Sequence, residues 1–139
     1  MSGPRSVLVV DDDDALRQIL EERLRSEGFE VRSAPDGLHG YSCYFQYPTE
    51  LVVTDVQMPE LDGLQMMRAI RAINPSVKAI YLTGATEQFR FPLELERQKF
   101  GAAVLSKPFS TESFMALIGC GPAEVTEGES KKSSIASDG

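Results

Sequence analysis

Residues 7–17 read VLVVDDDDALR, an apolar run driven straight into four consecutive aspartates, Asp11 to Asp14. Two carboxylates about 4 Å apart repel by roughly 4 kcal/mol even at an effective dielectric of 20. Charges gathered in this way ask for a positive partner. One aspartate is enough to cap a following helix, and Asp13 or Asp14 serves as that cap, with its neighbour in the favourable first turn. Asp11 and Asp12 are surplus to capping, so the chemistry they suggest is binding of a cation. Three more polar groups stand just past apolar runs: Asp55 follows ELVVT, Thr83 follows VKAIYL, and Lys107 lies two residues after AAVL.

Groups so far apart act together only if the elements between them return each one to the same place. Short runs of Val, Ile and Leu alternate with stretches whose apolar residues recur every three or four positions, the pattern of parallel strands joined by crossover helices. Strands are expected at Ser6–Val10, Phe29–Ala34, Glu50–Thr54, Val77–Leu82 and Ala102–Leu105. The second alternates apolar with polar residues, which suits a sheet edge. The first helix should bury Leu16, Ile19, Leu20 and Leu24 and stop at Gly28. A second is expected over Leu38–Gln46 after the turn PDG, although Gly40 and the cluster Tyr41, Tyr44, Phe45 are poor helix formers.

The loop DVQMPELDG leads to a third helix that starts at Asp62-Gly63 and ends at Asn74-Pro75. Its expected stripe is Leu64, Met67, Ile70 and Ile73, with Met66 and Met67 filling the core rather than forming a binding surface. Pro92 suits a first helical position, which predicts a loop over 84–91 and a short fourth helix from Pro92 to about Lys99. A fifth helix follows Ser110 as cap, turns Phe114, Leu117 and Ile118 inward, and is ended early by Gly119 to Pro122. From Ala123 the chain is polar, poor in aromatics and without period, so residues 120–139 are expected to be a disordered tail.

Five βα units with right-handed crossovers make a doubly wound α/β sandwich. Ligands of such sheets bind beyond the carboxyl ends of the strands, where Asp11, Asp12, Asp55, Thr83 and Lys107 would all converge.

Composition narrows the function. The 139 residues fit one domain, with 42% hydrophobic and 25% charged residues as in ordinary globular proteins. A net charge of −7 argues against a surface that grips nucleic-acid phosphates, leaving proteins, cations or small molecules as partners. His39 is the single histidine and reads as a partly exposed helix residue, so His-rich metal sites and a Ser-His-Asp triad lack material. Cys43 and Cys120 show no paired spacing, and neither a signal peptide nor a membrane-spanning stretch is apparent, which suggests the cytoplasm and no membrane partner.

Four strings in order, VLVVDDD (7–13), VVTDVQMPELDG (52–63), YLTGA (81–85) and LSKPF (105–109), carry a resemblance to the receiver domains of two-component response regulators over about residues 5–118. The D-x-x-M-P-x-x-D-G pattern after an apolar strand is the most specific of them. The resemblance implies a CheY-like, flavodoxin-like (βα)5 fold with strand order 2-1-3-4-5, and a free-standing receiver domain over residues 1–119. It also implies that Asp55 accepts a phosphoryl group, that Asp11 and Asp12 hold Mg²⁺ with Asp55 and the backbone carbonyl of Gln57, and that Thr83 and Lys107 contact the phosphoryl oxygens. Pro108 would follow a cis peptide bond.

Physical chemistry agrees with those roles. A carboxylate can attack phosphorus, but anion approaching anion is repelled unless a cation stands between them. Mg²⁺ favours octahedral oxygen ligands, typically one or two carboxylates, waters and substrate phosphate. The positive charge missing from the acidic run would then be this ion together with the ammonium of Lys107. The implied donor of the phosphoryl group is a sensor histidine kinase or a histidine phosphotransfer protein, and the implied reader is a downstream target protein. Such a domain is a switch that catalyses only its own phosphorylation and dephosphorylation.

Two alternatives come from other classes. A pseudo-receiver would bind proteins without the chemistry. A Mg²⁺-dependent phosphatase with an Asp nucleophile would need a second Asp two residues on, where this chain has Gln57. Departures from the family pattern bear on output: Val104 stands where an aromatic residue is usual, Pro92 interrupts the expected fourth helix, and the fifth is short. Gln57 and Ala85 flank the expected phosphoryl site and are expected to tune access of water to it.

Overall fold

In the computed structural model residues 5–84 and 87–119 are described, so the expected tail and Ala85 lie outside the described residues. Five strands, β1 (Ser6–Val10), β2 (Glu30–Ala34), β3 (Leu51–Asp55), β4 (Lys78–Thr83) and β5 (Ala103–Ser106), alternate with five helices. The helices are α1 (Asp14–Ser26), α2 (Gly37–Gln46), α3 (Gly63–Ile73), α4 (Arg90–Phe100) and α5 (Thr111–Ile118). All strand pairs are parallel and the sheet order is β2-β1-β3-β4-β5, with β2 at an edge as its alternation indicated. Arg5–Pro108 forms one compact unit carrying the sheet and α1 to α4, whereas α5 belongs to a second unit.

Alternation of side chains across the strands builds two apolar faces. On one, Val10, Thr54, Tyr81 and Val104 lie in register across β1, β3, β4 and β5, above a second row of Leu8, Val52 and Ala79. Most of these join Tyr44, Met66, Met67, Ile70 and Leu93 in a single buried cluster. The opposite face carries Val7, Val9, Val53 and Leu82, all fully buried, and α1 packs on β1 and β2.

Local chemistry explains the helix ends. Asp13 is the cap of α1, accepting from the Leu16 amide, and Gly28 follows the helix with φ of 94°. Asp62 and Gln65 form a reciprocal capping box on α3. The poor propensity of α2 is overcome by packing. A Cβ on Gly40 would stand 2.7 Å from Met66 Sδ and 2.9 Å from Val10 Cγ2, so the missing side chain lets α2 approach α3 and β1. Tyr44 is fully buried, with its hydroxyl accepting from Asn74 Nδ2 at 3.0 Å.

Several expectations are corrected. The fourth helix starts at Arg90, two residues before Pro92, after a single 3₁₀ turn at Glu87–Phe89. Pro92 is tolerated because the first four amides of a helix have no intrahelical acceptor, so its missing N–H is not missed. β3, β4 and β5 each run one residue later than expected, since pairing of Asp55 with Leu82 and of Thr83 with Ser106 extends the ladders past the apolar runs. Ile19 is exposed, because Leu16, Leu20 and Leu24 at four-residue spacing already form the narrow stripe of α1. Ile73 is exposed as well, and the stripe of α3 passes through Gly63, Met66, Met67 and Ile70. Gly63 has no side chain to hold that end of the helix away from β3, which sets the rotation. In α5 Phe114, Met115 and Ile118 are buried while Leu117 is exposed. His39 is an exposed residue of α2 paired with the Asp36 cap at 2.9 Å.

Candidate functional site

Asp11 follows the last residue of β1, and Asp55 and Thr83 end β3 and β4, all at the carboxyl edge of the sheet. Asp11, Asp12 and Asp55 each bring a carboxylate oxygen within 4.8 Å of the others. Asp11 is fully buried, Asp55 nearly so, and Asp12 is exposed. Lys107 donates to Asp11 Oδ2 at 3.2 Å and lies 3.4 Å from Asp55 Oδ1, so one ammonium bridges two carboxylates of the three.

The supports of these side chains are mostly backbone. Asp11 Oδ1 accepts from the Asp13 amide at 2.9 Å, and its main-chain carbonyl accepts from Arg17 Nη1 at 2.7 Å. Arg17 also pairs with Asp14 at 2.7 Å. The Lys107 amide donates to the Thr83 carbonyl at 2.7 Å, which ties the end of β4 to the loop after β5. The Lys107–Pro108 peptide is cis.

The loop after Asp55 is gripped by two glycines. A Cβ on Gly63 would meet the Asp55 carbonyl oxygen at 2.3 Å, and one on Gly37 would meet the Leu61 carbonyl oxygen at 2.3 Å. Each glycine directly follows an aspartate that caps its helix, Asp62 and Asp36. Within the loop Glu60 adopts a left-handed backbone with φ of 69°, and the Leu61 amide donates to the Pro59 carbonyl at 2.8 Å. Gln57 is exposed on the same loop, while Met58 is buried.

Electrostatics follow from this crowding. Burial, and then the Asp11 carboxylate, push the Asp55 carboxyl up to about 6 against the pull of Lys107. Asp11 is also raised, chiefly by burial, with the Asp13 amide and Lys107 opposing. Burial works against the charge on Lys107, but Asp11 and Asp55 together outweigh it and hold the ammonium above its usual range. One ammonium therefore leaves the acidic group under-compensated, and oxygen ligands so arranged suit a hard divalent cation.

Asp11, Asp12, Asp55 and Lys107, singled out from sequence, are thus brought together in space. Thr83 is buried at the same edge, one residue beyond Leu82, the β4 partner of Asp55. Val104 lies partly buried against the core cluster. Sequence reasoning missed Arg17 and the paired grip of Gly37 and Gly63. The repeated Asp-Gly in PDG and LDG was the available signal for the latter.

Comparison with known proteins gives a consistent picture. The sequence profile of the response regulator receiver domain matches residues 7–119. The transcriptional regulatory protein RprY of Bacteroides fragilis is 35% identical over 107 residues, 76% of this chain but only 44% of its own length. The probable chemotaxis protein CheY of Rhizobium etli is 36% identical over 114 residues, covering 81% of this chain and 88% of that protein. The crystal structure of the response regulator TrrA from Thermotoga maritima, in complex with Mg²⁺-BeF, superposes with a TM-score of 0.69 at 30% identity. It covers 82% of this chain and 96% of that one. No described helix is long and apolar enough to cross a membrane.

Proposed function

The chain belongs to the response regulator receiver family, and from that premise we propose that it accepts a phosphoryl group on Asp55 and thereby switches its contacts with other proteins. The observation that carries the reading is the trio Asp11, Asp12 and Asp55, whose oxygens lie within 4.8 Å of one another and of which Lys107 pairs with Asp11 and Asp55. The three carboxylates fit Mg²⁺, which Asp11, Asp12 and Asp55 would hold together with the backbone carbonyl of Gln57. When bound, the ion supplies positive charge that neutralises phosphoryl oxygens as the two anions meet.

The chain's own groups do the rest. Asp55, fixed at a strand end by the β3–β4 ladder, presents a carboxylate oxygen to phosphorus. An O–P bond forms there as the N–P bond of a phosphohistidine donor breaks, and the imidazole keeps the electron pair and takes up a proton. Lys107, already beside Asp55, pairs with a phosphoryl oxygen, and the Thr83 hydroxyl donates to another. A new dianion favours whichever conformer of the β4 end gives it these contacts, and that differential contact is the switch.

The donor under this proposal is a sensor histidine kinase or histidine phosphotransfer protein, and the reader is a target protein. A cytoplasmic location belongs to the same reading. The test is incubation with Mg²⁺ and a small acyl phosphate, followed by intact-mass measurement. Addition of one phosphate to the parent and none to Asp55→Asn supports the reading. Failure of the parent to label under conditions where it binds Mg²⁺ points instead to an unphosphorylated protein-binding module.

A further inference from the structure

Away from the acidic site, α3 and α4 wall a groove of about 690 Å³. Arg71 lines it from α3 with a side chain only 7% exposed. Its Nη1 donates to Glu96 Oε1 on α4 at 2.6 Å, and the Tyr81 hydroxyl donates to the same oxygen at 2.6 Å. The Phe100 ring covers one face of the guanidinium, 3.9 Å from Cζ. Among the described residues, the remaining nitrogens, Nε and Nη2, are buried without a hydrogen-bond partner. These two form one edge of the guanidinium fork, with parallel N–H bonds that match a planar two-oxygen acceptor. Charged donors buried without an acceptor are unfavourable, so an acceptor brought from outside is favoured there.

The surroundings restrict what that acceptor is. Glu96 already places a carboxylate beside Arg71, which disfavours a dianion and selects a monoanion. Leu64, Phe89, Pro92, Leu95 and Phe100 give the groove an apolar wall beside the polar Asp62, Gln65 and Gln88, and that wall suits a ligand with an apolar body. Arg68 and Lys99 also line the groove and attract anions to it, although the chain as a whole carries −7. The volume falls within the roughly 300–1,000 Å³ typical of small-molecule sites.

We infer that the α3–α4 groove binds a small apolar carboxylic acid, aryl or short acyl, whose carboxylate pairs with the Nε–Nη2 edge of Arg71 while Leu95 and Phe100 pack on its body. Because Nε and Nη2 are buried, the ligand reaches them as the end of α4, where Phe100 is 41% exposed, moves outward.

The test is an amide NMR titration of the full ¹⁵N-labelled chain with sodium benzoate, benzamide and inorganic phosphate in parallel. Benzoate is expected to give saturable shifts confined to α3, α4 and the turn before α4, with benzamide at least about tenfold weaker for want of the charge-assisted pair. Phosphate is expected to produce no saturable shift there. Arg71→Gln should weaken benzoate at least about tenfold. Because that change leaves Glu96 without its cation and endangers folding, Leu95→Glu on the exposed wall is the companion variant. It should keep the parent's amide dispersion and lose benzoate binding to the same degree. Equal binding of benzoate and benzamide, shifts lying elsewhere, or saturation by a Leu-Glu-Leu peptide but not by benzoate would each overturn the inference.

Discussion

Replacement of Asp55 by Asn should stabilise the metal-free protein at neutral pH, although it destroys the proposed phosphoacceptor. In the folded chain the Asp55 carboxyl is pushed from 3.8 up to about 6 by burial and by Asp11, with the opposing pull of Lys107 already included. A shift of about 2 units at 1.36 kcal/mol each is ~3 kcal/mol of disfavour toward the ionised form. The folded state holds the Asp55 proton more tightly than the unfolded state does. Its stabilising contribution is therefore full below the unfolded pKa near 3.8 and is lost as pH rises through about 6. Asn has no proton to lose, so the gap between variant and parent should be ~3 kcal/mol at pH 7.5 and about half of that at pH 5. With urea slopes of about 1–3 kcal/mol per molar, the midpoint at pH 7.5 should move upward by roughly 1–3 M. The assay is urea unfolding of both proteins in EDTA at the two pH values. A variant that is no more stable than the parent at pH 7.5, or a gap that widens on acidification, would refute the electrostatic reasoning.

Other expectations follow from the same geometry. Millimolar Mg²⁺ should raise the parent's urea midpoint, by about 2.7 kcal/mol of stability at a hundred times the dissociation constant, and Asp11→Asn should lose most of that response. Gly63→Ala places a Cβ 2.3 Å from the Asp55 carbonyl oxygen, so it should destabilise by about 1–3 kcal/mol in chemical denaturation and slow labelling of Asp55. Lys107→Gln removes the ammonium 3.4 Å from Asp55, and the Asp55 carboxyl carbon should then titrate at higher pH than in the parent by ¹³C NMR. Leu20→Ala, at a fully buried position of α1, should lower stability by about 2–5 kcal/mol in the same urea assay without moving the Asp55 titration.

How readily each part could be read in advance depended on how local its cause was. The strands were legible because buried parallel strands are continuous apolar runs, and the caps at Asp13, Asp62 and Ser110 were legible because a cap is a bond between a side chain and an amide three residues away. Pro92 misled because its usual place is the first helical position, whereas it is accommodated anywhere in the first turn. Ile19, Ile73 and Leu117 were assigned to the core on periodicity, which reports that a helix has an apolar stripe but not how that helix is rotated against its neighbours. The rotation of α3 is decided by Gly63, whose missing side chain matters only because a carbonyl from β3 occupies that space.

The amino-acid sequence by itself determined the alternation of strand and helix and the residues that stand at the strand ends, because both depend on nearest neighbours along the chain. Tertiary structure alone decided that one ammonium serves both Asp11 and Asp55, that Gly37 and Gly63 let the loop between Asp55 and α3 pack closely, and that Arg71 is buried with Nε and Nη2 unpaired among the described residues. Each of these is a relation between groups brought together by sheet pairing and helix packing. Charge repulsion, desolvation and close contact depend on distance through space, and separation along the chain carries no measure of it.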